Sequence, residues 1–142
     1  MTTLRQLLDQ KGHEVLTIAP DATVLDAIRK MADENVGSLV VVEEEKPVGI
    51  FTERHYARNV FLKGRSSPQT RVGEIMSTRV VCARPEQTVE EAMAIMTERA
   101  VRHLPVLEKK KLVGIVSIGD LVKSIISDQK FVIEQLEDYI SR

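Results

Sequence analysis

The chain has 142 residues, 43% hydrophobic and 29% charged, the balance of a water-facing chain that buries one core of ordinary size. Lys and Arg number 20 against 21 Asp and Glu, a formal net charge of −1. This excludes a global field for duplex nucleic acid or an anionic membrane and makes any anion site a local matter. Cys82 is the single cysteine, which excludes an intrachain disulfide and a multi-thiolate metal site.

No apolar run approaches the roughly 20 residues of a membrane span, and residues 1–12 lack a signal-peptide core, so a cytoplasmic location is expected. Leu4, Leu7 and Leu8 have the spacing of a short leading helix. Residues 15–18 predict a short strand, Pro20, Asp21 and Ala22 a turn, and Thr23 the N-cap of a helix. Along that helix Val24, Ala27, Ile28, Met31 and Ala32 recur every three or four positions, which makes one face core. Two β-branched runs, 38–42 and 48–52, flank a charged turn at 43–46 and predict a hairpin, with a further helix from about Glu53. Gly64, Ser66, Ser67 and Pro68 then mark a basic linker over 63–71.

After the linker the pattern starts again. Pro20 matches Pro85, 65 positions on, and 13 of the 38 pairs that follow without a gap are identical. The second copy has its strand at Val81, Cys82 and Ala83, where the thiol reads as a small buried hydrophobe. Its helix carries Val89, Ala92, Met93 and Met96, its hairpin spans 104–107 and 112–117 around the turn 108–111, and its last helix starts near Ile118. Each unit is therefore β-α-β-β-α, and neither covers its own sheet easily. The expected boundaries are 1–62 for the first unit with the leading helix, 63–71 for the linker, and 72–142 for the second unit with a long C-terminal helix. Leu121, Val122, Ile125, Ile126, Val132, Ile133, Leu136, Tyr139 and Ile140 give that helix an apolar face. Such a face needs a cover, either its own domain or a second copy in a homodimer.

Catalytic machinery is not visible. The run from Gly114 to Asp120 lacks both the dinucleotide-turn spacing and the P-loop lysine. His13, His55 and His103 show no metal-ligand spacing, Cys82 has no base beside it, and Glu43, Glu44 and Glu45 fall in a hairpin turn where solvation is the default. The expectation is a protein that is not an enzyme and holds no metal.

Ser117 and Asp120 stand out instead. Three residues apart at a strand-to-helix junction, they share one side of the first helical turn. A carboxylate there accepts hydrogen bonds from both hydroxyls of a ribose, although the pair also suits a helix cap that needs no ligand. The first unit has Thr52 and His55 at these places.

The repeat, the runs Val36-Gly37-Ser38-Leu39-Val40-Val41-Val42 and Val101-Arg102-His103-Leu104-Pro105-Val106, and Val48-Gly49-Ile50-Phe51-Thr52 beside Val113-Gly114-Ile115-Val116-Ser117 together resemble paired cystathionine-β-synthase-type (CBS) domains. This Bateman module occurs in standalone bacterial signalling proteins, and the resemblance covers about residues 15–126. It implies an α+β fold of two β-α-β-β-α CBS repeats packed about a pseudo-two-fold axis, with flanking N- and C-terminal helices. It also implies two clefts that commonly take adenosine-containing ligands: AMP or NAD(H), with ATP as a further candidate.

Ser117 and Asp120 look like the family's Ser/Thr-x-x-Asp ribose signature, from which His55 departs. The resemblance implies adenine against the backbone of Val81, Cys82 and Ala83, with Val101, Leu104 and Ile115 on the ring. It implies phosphate near Arg102 and His103 beside Pro105, near Arg54 and Arg58, or near Lys63 and Arg65. The symmetric set for the first cleft is Ile18, Ala19, Gly37, Ser38, Leu39 and Thr52, with Gly37 permitting close approach of a backbone. The function so implied is a regulatory adenine-nucleotide sensor that changes cleft or dimer geometry and passes its signal to an effector protein, with neither nucleic acid nor membrane as partner. The alternative is a structural dimerisation module with empty clefts.

Overall fold

In the computed structural model, which describes residues 1–141, the chain runs α1 (Leu4–Lys11), β1 (Thr17–Ile18), α2 (Val24–Glu34), β2 (Ser38–Glu43), β3 (Lys46–Thr52) and α3 (Glu53–Tyr56), extended by a π-helical turn at Ala57–Phe61. It continues through α4 (Val72–Ile75), α5 (Val89–Arg99), β4 (His103–Glu108), β5 (Lys111–Ser117) and α6 (Ile118–Ile140). Arg142, the last residue of the expected second unit, lies outside the described residues.

The two repeats form by the same local devices. Thr23 and Thr88 cap α2 and α5 by accepting from the Asp26 and Glu91 amides, each at 3.1 Å. Both hairpins close on two residues of positive φ, Glu44-Glu45 and Lys109-Lys110, the geometry of the tight turn that matches strand twist. In both, the outermost pair is Glu opposite Lys: Glu43 with Lys46 and Glu108 with Lys111.

The first strands differ from expectation. The strand expected over 15–18 shortens to Thr17–Ile18, parallel to β2, and its counterpart at 81–83 is reduced to a single bridge between Ala83 and Val106. Pro105 explains the loss. In the first repeat the Val40 amide donates to the Leu16 carbonyl; Pro105 stands in the place of Val40 and has no amide hydrogen to give. Cys82 is half-buried, not part of the core, and burial pushes its thiol above the ordinary range.

Two cores result, and the helices cross between them. One core joins Val24, Ala27, Met31, Leu39, Val41 and Phe51 to Val60 and to Val72 and Ile75 of α4. The other joins Val89, Ala92, Met96, Leu104, Val106, Val116 and Leu121 to Leu4, Leu7 and Leu8 of α1. The leading helix, expected with the first unit, thus packs into the second, and the helix after the linker completes the first. The exchange is symmetric. Leu4 N–H donates to Gln87 and Val89 N–H to Thr2, while Val24 N–H donates to Thr70 and Val72 N–H to Ala22.

Two glycines make room for these helices. A Cβ at Gly114 would lie 2.6 Å from both Leu8 methyls, and one at Gly49 would lie 2.5 Å from the Met76 sulfur and 2.9 Å from the Ser77 carbonyl. Leu8 and Met76 are therefore equivalent plugs, which relates the repeats by a pseudo-two-fold axis. Each buried aliphatic side chain of this kind contributes about 1.5–3 kcal/mol.

The long helix α6 is shared between core and solvent. Leu121 is fully buried and Ile125 packs on the second core, but Phe131, Val132, Ile133, Leu136 and Tyr139 are all more than half exposed. Only its first turns find their cover within the domain.

Candidate functional site: two clefts at the seam between the repeats

Both clefts open where one repeat faces the start of the last helix of the other. The first, of about 230 Å³, places Thr52, Arg54 and His55 against Arg79, Val81, Val101 and Arg102. The second, of about 460 Å³, places Ser117 and Asp120 against Lys11, Glu14, Leu16, Asn35 and Ser38. Gly37 and His103 line both, so they form the partition.

In the second cleft the Ser117 hydroxyl accepts from the Asp120 amide at 3.1 Å, and Asp120 Oδ2 accepts from the Ser117 amide at 2.8 Å. This reciprocal cap holds the carboxylate at the start of α6, half-buried in the cleft lining. Lys11 Nζ, at the end of α1, donates to the same Oδ2 and to the Ile115 carbonyl, both at 2.6 Å. Burial alone would raise the Asp120 pKa; the Lys11 and Ser117 hydrogen bonds outweigh it and hold the acid below its ordinary range.

The first cleft repeats the cap with imidazole. Thr52 accepts from the His55 amide at 3.1 Å and His55 Nδ1 accepts from the Thr52 amide at 3.2 Å. In the neutral ring this leaves the proton on Nε2, a donor. Burial lowers the His55 pKa, and Arg54 and Arg58 lower it further. Burial likewise lowers that of His103, where Lys11, Arg102 and His55 add to it against the opposing pull of Asp120. Both imidazoles are held neutral toward acidic pH.

The expected site residues are regrouped by this arrangement. Val81 lines the cleft of Thr52 and His55, not that of Ser117 and Asp120, while Ser38, although paired with Thr52 across the hairpin, lines the cleft of Asp120. The physical reason is the pseudo-two-fold packing: each cleft takes its strand from one repeat and its helix start from the other. Arg54, Arg102, His103 and Pro105 line the first cleft, Ile115 the second. Ala83, Leu104 and Leu39 are core, Ile18 packs on the first core, and Ala19 faces a separate surface dip with Asp21 and Glu43. Cys82, Arg58, Lys63 and Arg65 do not line either cleft, and Arg65 pairs with Glu74 at 3.3 Å. A Cβ at Gly37 would meet only Glu53, at 3.8 Å, so the protein itself does not require glycine there.

Four charged residues of the cleft walls were missed by the sequence reading: Lys11, Glu14, Glu34 and Arg79. The signal for two of them was present, because the 65-residue offset pairs Glu14 with Arg79, just outside the aligned block. Among the described residues no cluster of His, Cys, Asp and Glu could hold a metal ion, and no helix is long and apolar enough to cross a membrane.

A model of the CBS domain matches residues 11–61 and 72–127. The chain belongs to the CBS-domain family. The mitochondrial CBS domain-containing protein CBSX3 of Arabidopsis thaliana is 38% identical, across 98% of this chain and 72% of its own length. The structure of a CBS-domain protein from Burkholderia ambifaria MC40-6, whose proposed role is signal transduction, superposes with a TM-score of 0.86 at 49% identity, covering 90% of this chain and 96% of that one. The CBS pair of protein MJ0100, in complex with 5′-methylthioadenosine and S-adenosyl-L-methionine, shares the fold at 22% identity, with a TM-score of 0.79 and coverage of 90% and 98%. Fold class and tandem CBS architecture thus agree with the resemblance seen in the sequence.

Proposed function

We propose that this CBS pair is a regulatory adenine-nucleotide sensor, with AMP, ATP or NAD(H) bound through Asp120 in the second cleft. One observation carries the reading: a half-buried carboxylate, fixed by its own helix cap, lines a cleft large enough for a nucleoside. Oδ2 is occupied by Lys11 and Ser117, which leaves Oδ1 to accept from a ribose hydroxyl. Leu16, Val36 and Ile115 supply apolar surface for a base. The two ligands of the MJ0100 pair are both built on adenosine, which supports the reading. A ligand that bridges the repeats favours one seam angle over another, and this differential affinity is the signal an effector protein would read.

Calorimetric titration of the full chain with AMP and NADH tests the reading. Saturable binding that Asp120→Ala weakens by about 1.5–3 kcal/mol, the range for a charged hydrogen-bond partner, supports it. Silence at millimolar ligand sinks it.

A second reading is favoured by the exposed apolar stripe of α6 and by the Ser117–Asp120 cap, which is complete without a ligand. In that reading the module dimerises through α6 and its clefts stay empty. A dimer in sedimentation equilibrium that Leu136→Glu dissociates, combined with silent titrations, would select it.

A further inference from the structure

We propose that residues 11–16 form a pH-sensitive strap, clipped to the edge of β5 by protonated His13 and freed by its deprotonation, so that proton concentration sets one wall of the second cleft. The claim concerns the protein's own structure and holds whatever the cleft binds.

The two repeats close the same strand edge by different means. In the first, Ile50 and Ser77 exchange both backbone hydrogen bonds, each at 3.0 Å, and neither group titrates. In the second, Ile115 stands in the place of Ile50, and side chains from the end of α1 take over. Lys11 Nζ donates to the Ile115 carbonyl at 2.6 Å, and His13 Nδ1 lies 2.9 Å from the Val113 carbonyl. His13 Nε2 lies 2.8 Å from Asp9 Oδ1. Both partners are acceptors, so both contacts are hydrogen bonds only when both ring nitrogens carry protons, as in the imidazolium. The neutral ring has one proton and turns a lone pair toward the other acceptor.

Gly12 supplies the hinge. It turns at φ 114°, a conformation that favours glycine, and a Cβ there would meet nothing within 4 Å. On either side of it Lys11, Glu14 and Leu16 line the second cleft, so the clip and the cleft wall share one short segment. The charged groups that act on the ring are Asp9 and Arg5, both on α1; β5, packed on the other side, presents the Val113 carbonyl. The Asp9 hydrogen bond leads, the Val113 carbonyl adds to it, and together they hold the imidazole above its ordinary range against burial and Arg5. A raised folded value keeps the clip at pH below it and loses the clip as pH rises through it.

NMR of the full chain from about pH 5.5 to 8.5 tests this, with the His13 ring nitrogens and the backbone order parameters of residues 12–16 followed together. The expected result is a His13 midpoint above the ordinary histidine value of about 6.5, with order parameters of about 0.85 below the midpoint that fall under about 0.6 above it. Asp9→Asn should move both the ring titration and the loss of order to lower pH, and His13→Asn should leave the strap mobile at every pH. A strap that stays ordered across the His13 titration, a midpoint at or below the ordinary value, or a His13→Asn strap as rigid as the wild type overturns the proposal. None of these outcomes needs a ligand, so silent calorimetric titrations sink the sensor reading and leave the strap standing.

Discussion

Where the cleft at the start of α6 has Glu14, Gly37 and Asp120, the cleft at the start of α3 has Arg79, Arg102 and His55 at the same places in the repeat. Over the same stretch the core positions are held in common: Val24 and Val89, Ala27 and Ala92, Met31 and Met96, Leu39 and Leu104, Val41 and Val106. The contrast is physical. A buried methyl group is fixed by close packing, so the two cores resemble each other. A charge on a cleft wall is solvated and costs little to exchange, so the same backbone carries an acidic site on one side of the partition and a basic one on the other.

Exchange of the two helix-start residues tests the contrast most severely. Asp120→His is expected to cost the second cleft about 1.5–3 kcal/mol of AMP binding, and His55→Asp to raise the adenosine affinity of the first cleft, with the Thr52 cap kept by a carboxylate oxygen. Titration of both variants with adenosine reads this; if neither cleft changes, the helix-start residue does not set what each one binds.

Proton linkage sharpens it. The groups facing the first cleft are Arg54, Arg79, Arg102, His55 and His103, with Lys11 and Asp120 acting on His103 from the other side. Folded pKa values below the ordinary histidine value of about 6.5 mean that stability falls as pH drops through that value toward the folded ones, which urea titrations at pH 7.5 and 5.5 would show.

Lys11 makes a smaller difference between the clefts. Lys11→Met removes the ammonium that competes for Asp120, so uncharged adenosine should bind up to about fivefold more tightly, the scale of a partly exposed ion pair. The Asp120 carboxyl should then titrate higher in an NMR pH series. Unchanged adenosine affinity would show that Lys11 does not contend with the ligand.

The smallest effect lies at the two helix ends. Asn35 and Ala100 both adopt the left-handed conformation, at φ 55° and 54°. Asparagine tolerates it and alanine is strained. Ala100→Gly should stabilise the chain by about 0.5–1 kcal/mol, the left-handed strain less the added chain entropy; Asn35→Gly should gain less. Equal gains in thermal denaturation would remove the difference between the ends.

Much of the lining of the two clefts was legible in the sequence. Ser117 and Asp120, Thr52 and His55 were found because a helix cap is written in three or four consecutive residues. Arg54, Arg102 and His103 were found because they flank those caps or the strand runs. Lys11 was missed because it belongs to a helix outside the repeat, and its partner Asp120 is over a hundred residues away. Cys82 and the 81–83 strand were misjudged because the lost amide that shortens that strand belongs to Pro105, across the pairing.

The sequence by itself determined the two β-α-β-β-α repeats, their caps, their tight turns and the CBS family, because periods of two and 3.6 residues and a 65-residue self-match are local or internal properties of the chain. Tertiary structure alone decided that α1 plugs the second core and α4 the first, that each cleft draws its strand and its helix start from different repeats, and that opposite charges face the two sides of His103. These depend on how two similar halves turn about a shared axis, and hydrophobic periodicity is blind to that rotation.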